Sequence, residues 1–427
     1  MLSQKKNNLL TRVGKGTGAG SVLRQYWQPV ALEAEFDASR PVTPVDILGE
    51  RLVAFRDDTG RYGLLHRQCP HRGADLCFGR LEDGGLRCAF HGWLFDVHGH
   101  CVEQPAEPID SRFHTRVRQD AYPCEVRAGT VFAFMGEGPP PPLPELDCLR
   151  APASHSFAFK GLMECNWLQA LEVGIDPAHA SFLHRFLDHD GLDYGMQFRD
   201  LTDGANMPVT ELLRNYPRPS IEVETTDYGT RIFAHRELSD TRRHVRVTNQ
   251  IFPQAILIPM STEMTITQWH VPVDDEHCYW YAVFTSFGDP VDHQRMREQR
   301  LALYELPGYT SRRNKRNNYG YDPEEQRTRT FTGMGEDINV HDQWAVESMG
   351  AIQDRTREHL GKSDVAIRAY RRQLLQAIDT GGYRSATRSG EPVLALDGIV
   401  DRRQWRSEWR SRALARRRIC GWIKECA

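Results

Sequence analysis

The stretch Cys69-Pro-His71 … Cys88-Ala-Phe-His91 constrains this chain more than any other. A cysteine and a histidine share one short segment, a second cysteine and histidine share another, and sixteen residues separate the two. C-x-H and C-x-x-H each put a thiol and an imidazole on a single tight turn. Two such turns, projecting from adjacent hairpins, can close on one small metal group. Gly73, Gly79, Gly84, Gly85 and Gly92 supply the backbone freedom such loops need. Thiolates suit zinc and iron–sulfur clusters, and imidazole suits several metals. A zinc finger, however, pairs cysteine with cysteine and histidine with histidine, whereas here each half contributes one of each.

That mixed pairing is the signature of a Rieske [2Fe–2S] centre, in which two cysteines hold one iron and two histidines the other. Cys77 lies between the pairs and fits no ligand slot. It is read as a packed thiol, as are Cys101, Cys124, Cys148, Cys165 and Cys278. Such a centre carries single electrons, so the rest of the 427 residues must explain where they go. Hydrophobic content of 40% and charged content of 26% are ordinary for a soluble globular protein, and a net charge of -3 argues against a nucleic-acid binder. The first residues lack the apolar core of a signal peptide, and no apolar run has the length of a membrane span. The expectation is a cytoplasmic enzyme whose ten cysteines are reduced thiols and metal ligands.

The chain divides by composition. Residues 1–27 read as a helical arm broken by glycines. Residues 28–138 hold short Val-, Leu- and aromatic-rich runs, with turns expected at "DDTGR" and "DVHGHC", the pattern of a small all-β domain. Residues 139–150 open with four consecutive prolines, a stiff connector. From 151 to 427 the pattern is α+β. Residues 162–187 are expected to be helical on both sides of Asp176-Pro177. Strand-like segments then precede helical periodicity from about Asp337, clearest in "VAIRAYRRQLLQAI". The fold class expected is thus an all-β Rieske domain followed by an α+β catalytic domain, an antiparallel sheet flanked by helices.

A second constellation, Asp176-x-x-His179-x₄-His184, falls at the start of that second part. Two neutral imidazoles and a carboxylate make the facial triad of non-haem Fe(II) oxygenases. On a regular helix His179 and His184 would stand about 140° apart. Both can face one metal only if the helix is bulged or interrupted there. Taken alone, Asp176-Pro177 reads equally as an N-cap and a first-turn proline.

Together, C-P-H…C-x-x-H-G-W and D-x-x-H-x₄-H resemble the catalytic α subunit of Rieske non-haem iron ring-hydroxylating oxygenases. The likeness runs over nearly the whole chain. "RQYWQPVAL", "NWLQALE", "IDPAHASFLH" and "DQWAVESMGAIQDRTREHLGKSD" are most similar to the phthalate and phenoxybenzoate dioxygenase branch. The resemblance implies that Cys69, His71, Cys88 and His91 hold the cluster and that His179 and His184 hold a mononuclear Fe(II). It implies a third, carboxylate ligand far downstream, at Asp342, with Glu347 and Asp337 as further candidates. Asp176 matches the family's bridging aspartate, which links the iron to the cluster of a neighbouring subunit. Glu172, one turn earlier, is a lesser candidate. The same resemblance implies a head-to-tail homotrimer, or two such rings stacked as a hexamer.

The activity implied is O₂ activation at Fe(II), in the catabolism of aromatic compounds. Electrons would come from NAD(P)H through a separate reductase, since no G-x-G-x-x-G follows a strand here. The expected substrate is an aromatic carboxylate, phthalate-like or another substituted benzoate. The alternative is an aryl ether, cleaved or O-dealkylated. A carboxylate calls for an arginine fork, and Arg246, Arg236 and Arg231 are the candidates on strand-like segments. The polar, glycine-dotted region 307–341 is read as a lid or assembly element. The basic tail 401–418 is read as a solvated helix, with docking of an acidic electron carrier as the alternative. Rival readings are a Rieske electron carrier with an inactive partner domain, and a zinc hydrolase.

Overall fold

The computed structural model describes residues 1–37, 41–187, 201–202, 207–260, 263–382, 393 and 395–419. Residues 42–122 contribute two small antiparallel sheets. One is ordered Val42–Ile47, Glu50–Arg56, Tyr62–His66 and Ala121–Tyr122. The other is a meander of Arg80–Glu82, Gly85–Arg87, Leu94–Phe95 and Cys101–Glu103. The two turns expected from sequence are built by aspartates. Asp57 Oδ1 accepts the amides of Thr59 and Arg61, and Asp96 Oδ1 accepts those of His98 and His100. Val53, Phe55, Leu65, Leu86, Trp93 and Phe95 form one apolar core, and Cys69 and Cys88 belong to it. A third sheet pairs Trp27–Leu32 with Thr130–Phe134, so the chain leaves this region beside the strand by which it entered.

The second part is built on a large antiparallel sheet. Ser220–Thr226, Gly229–Glu237, Arg242–Ile251, Ala255–Pro259, Met264–Pro272 and Cys278–Ser286 follow one another as neighbours, and Ser156–Met163 adds on beyond them. Leu396–Asp401 returns from the far end of the chain to pair with Arg242–Ile251. The helix Trp167–Ile175 lies on the strands Ala255–Pro259 and Met264–Pro272, and Val365–Thr380 packs on the sheet's other end. The C-terminal helix, Trp405–Ile419, docks Trp405 and Trp409 against Phe233, while Arg406 and Arg410 are exposed.

Helix across 162–187 is not what forms. Ser156–Met163 is a strand, because Gly161, Leu162 and Met163 pair with Trp280, Tyr279 and Cys278. Helix begins only at Trp167, where Asn166 Oδ1 accepts the Leu168 amide while its Nδ2 donates to the carbonyls of Thr11 and Asp275. No helix among the described residues is long and apolar enough to cross a membrane.

Candidate metal centres

The two Cys/His segments fold into equivalent loops. Cys69 donates its amide to Ala74 O and accepts from the Gly73 amide; Cys88 donates to Trp93 O and accepts from the Gly92 amide. Gly73 and Gly92 both have φ near +75°, at 78° and 75°, where a side chain would be strained. The thiols point into the apolar core. Burial, aided by the neighbouring Cys88, pushes the Cys69 thiol up to about 12, although the His71 amide pulls the other way. A thiol in that setting becomes a thiolate only in exchange for a metal. The imidazoles stand outside, His71 and His91 with ring centres 4.4 Å apart and Trp93 stacked on His71 at 4.3 Å. His91 Nδ1 is buried with no hydrogen-bond partner. Two thiols inward and two imidazoles outward, one with an orphaned ring nitrogen, fit a cluster held as the pattern demands.

The second constellation also assembles. His179 and His184 flank the one-turn helix Ala180–Leu183, and its brevity swings both rings to the same side. The helix Ile338–Glu347, capped by Asp337, brings Asp342 to them. Asp342 Oδ1 lies 3.3 Å from His184 Nε2 and 3.7 Å from His179 Nε2, and one ligand atom from each residue falls within 4.8 Å of the others. Asp342 Oδ1 is buried without a hydrogen bond of its own. Burial pushes the His184 imidazole down to about 4 against the pull of Asp342, so the ring is neutral and has a lone pair to give. The donor set and the orphaned carboxylate oxygen fit a divalent ion.

The other carboxylates are engaged elsewhere. Glu347 accepts from the Glu164 amide and the Tyr319 hydroxyl, and Asp337 accepts the Asn339 amide. Glu172 is buried between Arg355 and Arg371; burial alone would raise its carboxyl, but the two guanidiniums hold it below the ordinary value. Asp176 ends the helix Trp167–Ile175. Its carbonyl oxygen accepts a hydrogen bond from His179 Nδ1, and its carboxylate accepts the Ala178 amide.

His179, His184 and Asp342 border an internal cavity. Ile258, Ile266, Trp280 and Phe284 make its apolar wall, while Arg246, Thr248, Gln268 and His270 supply polar groups. Of the three arginines expected near substrate, Arg246 alone lines this cavity, and its Nη1 donates to Asp397 Oδ2 at 2.6 Å. Strand alternation accounts for the others. Arg231 is on the opposite face of its strand, paired with Glu224 and stacked against Trp409. Arg236 shares the cavity face but sits at the strand's end, where it donates to Tyr216 O and lies under Pro177 and Ser181. Sequence reasoning missed His341, whose Nδ1 is 3.4 Å from His184 Nδ1; the only local hint was its place beside Asp342.

Outside this cavity a groove of about 880 Å³ opens over Asp176 and His179. Exposed Phe182, Phe331 and Met349 form its rim, and Tyr319, Tyr321 and Met334 of the region 307–341 form one wall.

Residues 26–115 match the Rieske [2Fe-2S] domain family, and residues 150–415 match the family described as LigXa C-terminal domain like. The chain belongs to the Rieske non-haem iron oxygenases. It is 35% identical to the phthalate 4,5-dioxygenase oxygenase subunit of Pseudomonas putida, over 88% of this chain and 86% of that one. It is also 35% identical to phenoxybenzoate dioxygenase subunit alpha of Ectopseudomonas oleovorans, over 86% and 84%. The tert-butanol monooxygenase / tert-amyl alcohol desaturase oxygenase subunit of Aquincola tertiaricarbonis is equally similar, at 35% over 86% and 76%. The fold is that of the terminal oxygenase of carbazole 1,9a-dioxygenase from Nocardioides aromaticivorans IC177, with a TM-score of 0.57 at 17% identity over 89% of this chain and 98% of that one. Rieske oxygenases of this kind combine a [2Fe–2S] cluster with a mononuclear iron in the catalytic domain, and this chain is the oxygenase component of such a ring-hydroxylating system.

Proposed function

We infer that this oxygenase hydroxylates an aromatic carboxylate, a phthalate-like or otherwise substituted benzoate, with Cys69, His71, Cys88 and His91 holding the cluster and His179, His184 and Asp342 holding Fe(II). Bound there, the two groups supply single-electron transfer and O₂ activation. The observation that carries the reading is the cavity itself, where Arg246 and Arg300 join an apolar wall around His179, His184 and Asp342. Ile258, Ile266, Trp280 and Phe284 exclude water and take a ring. Arg246 receives the carboxylate with the donors that Asp397 leaves unused. Thr248 and Gln268 lie on the same wall and orient ring substituents. Phthalate and phenoxybenzoate, which name two of the relatives, are both aromatic carboxylates.

Aryl-ether cleavage is the second reading. It is favoured by the pairing of Arg246 with Asp397, which leaves the arginine a weaker carboxylate anchor, and by the relative named 5,5'-dehydrodivanillate O-demethylase. O₂ uptake over a panel of benzoates, their neutral ring analogues and aryl ethers separates the two. The carboxylate reading expects Arg246→Ala to raise KM about 10- to 100-fold for benzoates. Equal turnover of the uncharged analogues would end it.

Electrons arrive from a separate carrier, as the solved complex of the carbazole oxygenase with its ferredoxin suggests by analogy. Two apolar patches on different parts of the chain support a ring assembly. Exposed Phe90 packs on His91 and exposed Phe113 on Trp93, and Phe182, Phe331 and Met349 rim the groove over Asp176. A contact between unlike patches is heterologous, and where its rotation closes it makes a ring, with Asp176 of one subunit facing the cluster histidines of the next. A trimer or stacked hexamer by light scattering, reduced to monomer by Phe90→Glu, is the expected result.

A further inference from the structure

We propose that His341 is a positioning residue that fixes the ring tautomer of His184, and that the segment from Arg313 to Gly335 is built to hold His341 in that role. This rests on the reading of His179, His184 and Asp342 as an iron site. His341 is fully buried between His184 and the backbone of Gly335. Its Nε2 is 2.8 Å from Gly335 O. A carbonyl oxygen can only accept, so Nε2 carries the hydrogen. A neutral imidazole has one N–H, so Nδ1 of His341 is then an acceptor. The group facing it, 3.4 Å away, is Nδ1 of His184, with the two rings inclined at 22°. His184 must therefore donate from Nδ1, which leaves the lone pair on Nε2, the atom beside Asp342. His179 reaches the same state through the Asp176 carbonyl. One ligand takes its tautomer from the turn it sits on, the other from a residue 157 positions away.

The Gly335 carbonyl is itself held in place. Its amide donates to Glu325 Oε1 at 2.7 Å, and the Thr330 hydroxyl donates to the same oxygen at 2.6 Å. Gly335 has φ of +80°, and a Cβ there would come within 2.1 Å of the Arg313 guanidinium. The polar, glycine-dotted region 307–341 thereby gains a purpose beyond covering the groove.

Two polar variants test the proposal. Asn at 341 keeps an acceptor where His341 Nδ1 stands; Gln keeps a partner for Gly335 but no acceptor facing His184. Fe(II) binding would be measured anaerobically on the intact protein, with the reduced-cluster EPR signal as the folding control. Remote-nitrogen modulation of the Cu(II)-loaded site reports the hydrogen bond at His184 Nδ1. His341→Gln should weaken Fe(II) binding about 10- to 100-fold and alter the remote-nitrogen signal, whereas His341→Asn should stay within about threefold of the parent with the signal retained. Gly335→Ala should shift the same signal without touching either histidine. Parent-like Fe(II) affinity and signal in His341→Gln would overturn the proposal. A parent that binds no Fe(II) would remove the iron-site reading, and this one with it.

Discussion

Asp176 and His179 share one turn and divide two tasks between backbone and side chain. The Asp176 carbonyl oxygen accepts the His179 Nδ1–H, while its carboxylate accepts the Ala178 amide, and the residue lines both the groove and the internal cavity. Asp176→Asn leaves the carbonyl in place. Fe(II) content and the cluster spectrum should therefore match the parent. If the carboxylate carries electrons from a neighbouring subunit, steady-state O₂ uptake should nevertheless fall about 100-fold. Loss of iron in this variant would instead make Asp176 a structural residue.

Asp342 is the carboxylate that the fold brings to both histidines, and its free oxygen is buried. Asp342→Ala should lower iron from about three to about two per chain, with two acid-labile sulfides and the reduced-cluster EPR signal retained. Substrate-dependent O₂ uptake should disappear. A variant that keeps all three irons would return Glu347 and Asp337 to consideration, against their present hydrogen bonds.

Both donor groupings were legible because their residues are local. Cys69 with His71, Cys88 with His91, and His179 with His184 lie two to five residues apart, so spacing alone carries the chemistry. Asp342 needed the family resemblance, since nothing local ties it to His184, 158 residues earlier in the chain. His341 was illegible for the same reason. The arginines show a different limit. Alternation says that Arg231 and Arg236 face opposite sides, but which side holds the cavity depends on pairing with Arg242–Ile251 and on the helix that covers the other face. Residues 162–166 were misassigned because a short apolar run suits strand and helix alike until its partner strand is known.

Acid should act on the cluster loop through Asp75. Its bond to Arg67, against the effect of burial, holds the carboxyl down to about 2 from the ordinary 3.8. A depressed folded value contributes stability above the unfolded value and loses it as pH falls through the folded one. The pair is partly exposed, so solvent screening limits it to less than about 1 kcal/mol. The urea midpoint of Asp75→Asn should fall below the parent's at neutral pH, and the two should converge between pH 3.8 and about 2. A gap of constant size across that range would exclude the ion pair as its cause.

Lys160 and Glu35 join the catalytic sheet to the Rieske region. Lys160 Nζ lies 2.7 Å and 2.9 Å from the two carboxylate oxygens, both side chains less than a tenth exposed. Tyr279, Tyr281 and Tyr309 surround the ammonium at 4.8 to 5.3 Å. Removing one member of a buried pair strands the other, at a cost of about 3–5 kcal/mol, whereas replacing both is close to neutral. Lys160→Met should lower the urea midpoint markedly, read by cluster absorbance and by tryptophan fluorescence. Lys160→Met with Glu35→Gln should recover most of the loss. Since the pair spans the two regions, the two probes should separate in the single variant and coincide in the parent. If the single and double variants unfold at the parent's midpoint, the junction is held by the backbone bonds from Leu48 and Gly49 to the carbonyls of Pro272 and Val273 instead.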